Sequence, residues 1–145
     1  MAPPQTTDSP AVPDLLTQFV AVTPGIDNAL VFTRDSLVYA YSADMAQVEA
    51  EQWASVTGAM FIMTTSWAKT NKRGTCEHIV HRDATSTILI MRATPATGLT
   101  LFLAPGAGLK ECALAGELFL LDLVPHLPQV LSEQVGGRLL MGAQR

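Results

Sequence analysis

The stretch that decides the fold is AQVEAEQWASVTGAMFIMTTSWAK, residues 46–69. Glu49 and Glu51 lie near its start and Lys69 near its end, the charge order that a helix dipole favours. Large apolar side chains recur at alternating spacings of three and four residues, which is the period of a helix face. They are Trp53, Val56, Met60, Met63 and Trp67. We therefore predict a long helix whose tryptophan and methionine stripe faces the core.

The opposite flank of this helix is made mostly of small side chains. It consists of Ala54, Gly58, Phe61, Thr65 and Ala68. A surface helix normally carries charged residues on the face away from the core, and this flank has none. Small residues let another backbone approach closely, and uncharged patches are typical of interaction surfaces. The sequence therefore predicts a helix covered on two sides, with this flank as an interface.

Shorter elements surround the long helix. Apolar residues at helical spacing predict a helix over residues 14–22, and a second one over 109–124. Five strand-like runs separated by turn residues are found at residues 29–32, 37–41, 76–81, 87–91 and 99–103. The run 76–81 is polar, which is typical of an edge strand. The order predicts an α+β fold, α-β-β-α-β-β-β-α, in which a five-stranded antiparallel sheet has the long helix on one face and the two terminal helices on the other.

Composition narrows the class of protein. Only 15% of the 145 residues are charged, against about 25% in ordinary soluble domains. The net charge of −4 and the lack of a basic cluster argue against nucleic-acid binding. The charge-free runs 52–68 and 93–109 are interrupted by polar residues or by proline and glycine, so neither is expected to cross a membrane. A partner that covers part of the surface explains the missing charge better.

The ends of the chain differ from its middle. Four of the first 13 residues are proline, and no basic segment followed by an apolar one is present, so no secretory signal is expected. We predict a disordered lead-in over residues 1–11, one domain over 12–131 and a flexible tail over 132–145. The expected location is the cytoplasm, with recruitment to the membrane by partners.

Motifs for catalysis or cofactor binding are not found. The sequence has neither a P-loop nor a Gly-x-Ser-x-Gly elbow. A metal site is one hypothesis for Cys76, His78 and His81. Successive side chains of a strand point to opposite faces, however, so His81 would point away from the other two. Cys76 and Cys112 are expected to be free thiols. Arg34 and Arg73 lie in predicted turns, where either is a candidate arginine finger, although a solvated turn residue is the favoured interpretation. We predict no metal, no cofactor and no catalytic residue.

Three stretches together carry a family resemblance, namely residues 15–26, 29–37 and 50–60. With them the chain resembles the roadblock family of dynein light-chain-like domains over about residues 12–131. It is most similar to the short bacterial members encoded beside small Ras-like GTPases in actinobacterial conservons. Trp53 stands where the family more often has leucine. Pro125 late in the last helix and the short basic loop with Lys72 and Arg73 also depart from the pattern.

The resemblance implies a homodimer. In such proteins the long helices of two protomers lie side by side, and edge strands join the two sheets into one of ten strands. Cys76, His78 and Val80 would then lie at the strand junction. The paired helices form a platform for a Ras-like GTPase, which by position would use Ala54, Gly58, Phe61, Thr65 and Ala68. Relatives that activate GTPases do so by remodelling the GTPase's own residues, without donating an arginine finger.

The resulting hypothesis is a non-catalytic, homodimeric regulator or scaffold of a small Ras-like GTPase in bacterial signalling. A GTPase-activating role and a second, sensor-kinase-like partner are part of that hypothesis. The alternative is a small-molecule sensory domain of similar topology, since methionine-rich interiors suit apolar ligands. Such a domain needs a few convergent polar groups in an apolar pocket, and none is recognisable in the sequence. A hydrolytic or redox enzyme has no support beyond two thiols and three histidines without a pattern.

Overall fold

Within the described part of the chain, three helices and five strands follow one another in the predicted order. The computed structural model describes residues 11–129, so nearly all of the predicted lead-in and all of the predicted tail lie outside the described residues. The elements are α1 (Val12–Val22), β1 (Ile26–Thr33), β2 (Val38–Tyr41), α2 (Gln47–Thr70), β3 (His78–Arg82), β4 (Thr87–Thr94), β5 (Thr97–Leu103) and α3 (Leu109–Leu123). A short 3-10 turn, Val124–His126, follows α3. The predicted α+β fold is confirmed.

The helix boundaries follow from local chemistry. Helix α1 has Pro13 in its first turn, where a missing N–H breaks no hydrogen bond, and Asp14 beside it suits the helix dipole. Helix α3 passes into the 3-10 turn at Val124, one residue before Pro125. Proline has no N–H with which to continue an α-helix, so the disturbance predicted at this position is confirmed.

The five strands form one antiparallel sheet in the order β2-β1-β5-β4-β3. Strand β5 is central and pairs with β1 on one side and β4 on the other, so that Thr100 lies between Leu30 and Ile90. Strands β2 and β3 form the two edges. The predicted edge strand is therefore confirmed, although it begins at His78 rather than at Cys76.

Each face of the sheet has its own apolar core. On one face α2 covers a cluster that includes Leu30, Phe32, Phe61 and Ile90. On the other face α1 and α3 cover a cluster in which the rings of Phe19 and Phe119 stack with centroids 4.1 Å apart. Strands β4 and β5 are buried on both faces, in keeping with their nearly continuous apolar sequences.

Candidate functional site

The two faces of α2 are reversed relative to the prediction. The small-residue flank faces the sheet: Ala54 is completely buried, Gly58, Phe61 and Ala68 are buried, and Thr65 is half-buried. The tryptophan and methionine stripe, predicted to face the core, lies largely outside it. Met63 is 70% exposed and Trp67 62% exposed. The assignment of Ala54, Gly58, Phe61 and Ala68 to a partner interface is wrong, because these side chains already pack against their own sheet.

The reason for the reversal is how closely α2 approaches the rest of the chain. A Cβ added at Gly58 would lie only 2.8 Å from the Cα of Ser36, in the turn between β1 and β2. Only glycine fits there, and Ala50 and Ala54, earlier on the same side of the helix, are completely buried. Apart from Phe61, the large apolar side chains of α2 therefore lie wholly or partly outside this close contact. Both flanks of α2 lack charge, so hydrophobic patterning alone does not tell them apart.

The solvent-facing side of α2 is an exposed apolar surface, which we call the α2 outer face. Its exposed large residues are Val48, Val56, Ile62, Met63 and Trp67. Within residues 11–129, none of the helices is long and apolar enough to cross a membrane. Contiguous exposed apolar residues on a helix are typical of a protein–protein interface. The α2 outer face is therefore the candidate functional site.

The α2 outer face has two flanks that can be placed relative to the sheet. Gly58 lies against Ser36, and so marks the flank near the β2 edge. At 100° per residue, Val56, Met63 and Trp67 lie on the opposite flank, away from Gly58 and Ser36. Val48 and Ala59 lie between the two flanks and point away from the sheet, whereas Ile62 lies closer to the Gly58 flank. All six of these residues are exposed.

The β3 edge contributes one side chain to the α2 side of the sheet. Ile79 packs with the α2-side core, whereas His78 and Val80 point to the other face of the sheet. There the Nε2 of His78 lies 3.0 Å from the Oε2 of Glu117 on α3. Cys76, the third residue predicted at this edge, precedes the strand and packs half-buried against the α2-side core. Among the described residues, no strand pairs with the outer side of β3.

The turn between β3 and β4 is tied by one carboxylate. Oδ1 of Asp83 accepts hydrogen bonds from the backbone N–H of Thr85, at 3.0 Å, and of Ser86, at 2.9 Å. The hydroxyl of Ser86 donates to the same oxygen at 3.0 Å. These bonds, with the Thr85 amide contributing most, lower the pKa of Asp83 from 3.8 to about 2. The carboxylate therefore holds the hairpin that presents the β3 edge.

The thiols and histidines take up separate positions. Cys76 and Cys112 are both free, as predicted. Sγ of Cys112 donates to the carbonyl oxygen of Gly25, and burial, followed by the charge of Glu111, raises the pKa of this thiol. Nε2 of His81 lies 3.3 Å from a carboxylate oxygen of Asp83. Among residues 11–129, no three histidine, cysteine or acidic side chains cluster so as to hold a metal.

A second exposed apolar surface, which sequence reasoning missed, lies on the opposite side of the molecule. It is formed by Val22 of α1 and by Leu114, Leu118 and Leu121 of α3, all more than half exposed. The sequence signal was available, because Leu114, Leu118 and Leu121 recur at spacings of four and three residues within the helix predicted over residues 109–124. The shortage of charge is therefore spread over two surfaces, rather than over one flank of one helix.

Comparison with known proteins identifies the fold family. Residues 13–102 match the model of the Roadblock/LC7 domain. A Roadblock/LC7 domain from Streptomyces avermitilis is 15% identical, with a TM-score of 0.72, and the match covers 79% of this chain and 95% of that one. Myxococcus xanthus MglB is 10% identical, with a TM-score of 0.71, over 79% of this chain and 93% of that one. Acanthamoeba castellanii profilin II is 13% identical over 77% of this chain and 98% of that one, with a TM-score of 0.54. No curated protein matches the sequence significantly.

Proposed function

Because this chain belongs to the Roadblock/LC7 domain family, we propose that it is a non-catalytic homodimer that binds a small Ras-like GTPase on its paired α2 helices. The observation that carries the proposal is the α2 outer face, an apolar surface on a helix whose buried side already satisfies the core. A lone protomer would leave Met63 and Trp67 in water. Fully burying side chains of this size stabilises an association by about 1.5–3 kcal/mol each.

We assign the dimer contact to the flank of α2 opposite Gly58, and propose that this flank and the β3 edge meet the partner on the same side. Val56, Met63 and Trp67 on that flank are exposed and apolar. An unpaired edge strand has free backbone N–H and C=O groups that a second copy of the same strand satisfies. A twofold axis beside β3 lets both contacts form at once, since each surface then meets its own copy. In this arrangement His78 and Val80 lie at the strand junction.

The GTPase contact is assigned to the part of α2 that points away from the sheet. Val48 and Ala59 are exposed there. In the dimer, two such surfaces lie side by side, and Ala59 lets a partner approach closely. This assignment replaces the buried small-residue flank with exposed residues of the same helix. The family resemblance supports the identity of the partner as a small Ras-like GTPase.

The dimer is tested by light scattering at micromolar concentration. The wild-type chain should have twice the mass of the 15.5 kDa protomer. Met63→Arg should give a folded monomer, because it places a charge at the centre of the contact. Leu121→Arg is the matched control: Leu121 is as exposed as Met63, at 73%, but lies on α3. A wild-type monomer, or a monomeric Leu121→Arg, contradicts the proposed contact.

The GTPase contact is tested separately with a Ras-like GTPase from the same organism, loaded with a fluorescent nucleotide. Ala59→Arg should abolish the rise in anisotropy on mixing while the chain stays dimeric. Ala21→Arg, an exposed alanine on the other face of the molecule, should bind as the wild type does. Unchanged binding by Ala59→Arg would place the GTPase elsewhere. Single-turnover hydrolysis with and without this protein then distinguishes an activator from a scaffold.

A further inference from the structure

A cavity of about 590 Å³ opens beneath the C-terminal half of α2. Its walls come from the end of β1, the following turn, α2, the loop before β3, and the β4–β5 hairpin. The volume falls within the range of small-molecule sites in proteins. This cavity could not be predicted from the sequence, because its lining residues lie far apart along the chain.

Among the described residues, three cations line this cavity and no carboxylate does. Arg34 comes from the turn after β1, Lys69 from α2 and Arg92 from β4. The chain as a whole is acidic, with a net charge of −4, and has only nine lysines and arginines. Within residues 11–129, the only basic side chains that form an ion pair with a carboxylate are histidines. None of the three cations in the cavity therefore has an acidic partner in this part of the chain. The cavity is therefore a site of positive potential on a negative protein.

Arg92 is held in place and still has unused hydrogen-bond donors. Its Nε donates to the carbonyl oxygen of Cys76 at 3.2 Å, and one Nη donates to Oγ1 of Thr65 at 3.4 Å. Its guanidinium carbon lies 5.0 Å from the ring centroid of Phe61. A guanidinium has five N–H donors, so three are left for another acceptor. Fixing the group in advance reduces the entropy lost when an anion binds.

The remaining lining is partly apolar. The rings of Phe32 and Phe61 meet edge to face, with centroids 5.9 Å apart, and Ile62 and Pro95 add aliphatic surface. Thr65, Ser66, Thr75 and Thr97 also line the wall. A bare inorganic anion would leave the apolar surface unused, and a neutral apolar molecule would leave the cations unpaired.

We propose that this cavity binds a small organic anion, a carboxylate or phosphate head group on a compact apolar body. Arg92 and Lys69 pair with the head group, while Phe61, Ile62 and Pro95 contact the body. Arg34 lies at the turn and adds to the positive potential. The site is independent of the proposed GTPase contact, since it requires neither the dimer nor the outward-pointing Ala59.

The test is an amide NMR titration of the full-length chain with phenyl phosphate, with benzoate, and with neutral benzamide. Both anions should cause saturable shifts of the amides of Thr65, Gly74, Thr75 and Thr97, and benzamide should not. Losing a charge-assisted hydrogen bond weakens binding by roughly tenfold, so Arg92→Gln and Lys69→Gln should each raise the Kd by about that factor. Arg73→Gln is the matched control, because Arg73 is exposed in the adjacent loop but does not line the cavity.

The Lys69→Gln variant keeps the test decisive if Arg92→Gln fails to fold. Among the described residues, no hydrogen bond involves the Lys69 side chain, so its replacement should leave the fold intact. Saturable shifts in the cavity that weaken in Lys69→Gln, but not in Arg73→Gln, support the proposal. Three results overturn it: shifts that rise linearly to high millimolar concentration, equal binding of benzamide, or an affinity that Lys69→Gln leaves unchanged. Comparing the strength of phenyl phosphate and benzoate identifies which head group the cations prefer.

Discussion

Thr57 of α2 and Thr100 of β5 join helix and sheet through their hydroxyls, with Oγ1 atoms 3.1 Å apart and both side chains completely buried. Thr100 donates to Thr57, and Thr57 in turn donates to the carbonyl oxygen of Trp53 at 2.8 Å. The pair is the polar contact at the centre of an otherwise apolar layer. Its two members are not equivalent, because only Thr100 depends on the other for its acceptor.

This asymmetry predicts unequal effects of two isosteric substitutions. Thr57→Val leaves a buried Thr100 hydroxyl without an acceptor and should lower the free energy of unfolding by about 1–3 kcal/mol. Thr100→Val leaves the Thr57 bond to Trp53 intact and should cost about 0.5–1.5 kcal/mol. The double variant should cost less than the sum. Urea unfolding followed by circular dichroism measures the free energy of unfolding of all three variants. A larger loss in Thr100→Val than in Thr57→Val would contradict the stated donor direction.

The orientation of α2 predicts opposite outcomes for arginine on its two faces. Ala54→Arg places a charge where the side chain is completely buried and should destabilise the chain by about 3 kcal/mol or more, enough to unfold a marginal domain. Met63→Arg, on the exposed face, should keep a native circular dichroism spectrum and thermal midpoint once the loss of the dimer is allowed for. A soluble, native Ala54→Arg would show that the faces had been assigned the wrong way round.

Asp83 predicts a pH dependence confined to acid. Its pKa is lowered from 3.8 to about 2 in the folded chain. The carboxylate therefore stabilises the fold fully above the unfolded pKa, and this contribution is lost as the pH falls toward 2. Asp83→Asn should be less stable than the wild type near neutral pH, with the difference shrinking between about pH 4 and pH 2. The effect should be small, because the carboxyl is exposed. Urea midpoints across this range measure it, and a constant difference would argue against the Asp83 carboxylate.

The two thiols should react at different rates. Cys112 is buried and its pKa is raised, so little thiolate is present or accessible. Cys76 is half-buried at the start of the β3 segment. With a disulfide reagent at mildly alkaline pH, the Cys112→Ser variant should therefore label at least about tenfold faster than Cys76→Ser. Labelling in denaturant, where both thiols should react alike, is the control. Equal rates in the native chain would indicate that α3 opens readily.

Arg34 and Arg73 should be dispensable for any stimulation of GTP hydrolysis. Both are exposed, Arg34 in the turn after β1 and Arg73 in the loop after α2. A catalytic arginine finger contributes about 10³-fold or more, so a finger would be obvious in single-turnover assays. We expect any stimulation of GTP hydrolysis by the Arg34→Ala and Arg73→Ala variants to stay within about twofold of the wild type, far above the level left by the loss of a finger. A large loss in one variant, with GTPase binding intact, would identify that residue as a finger.

Much of the candidate site could be predicted from sequence, but not which face of α2 is exposed. The long helix, the edge strand and the lack of charge on α2 were all readable from periodicity and composition. The interface residues could not be identified in this way, because large apolar side chains are ordinarily assigned to the core. Here the close contact of Gly58 with Ser36 forces the small residues inward. The cationic cavity was likewise hidden, since Arg34, Lys69 and Arg92 meet only in the folded chain.

By itself the sequence determined the order and type of the elements, because hydrophobic period, turn residues and prolines act locally. It also determined that some apolar surface must remain after folding, since so few of its residues are charged. Only the tertiary structure decided which side of α2 that surface occupies, because the distance between helix and sheet depends on packing across the whole layer. The pairing of Thr57 with Thr100 and the gathering of three cations around one cavity depend in the same way on contacts between distant residues.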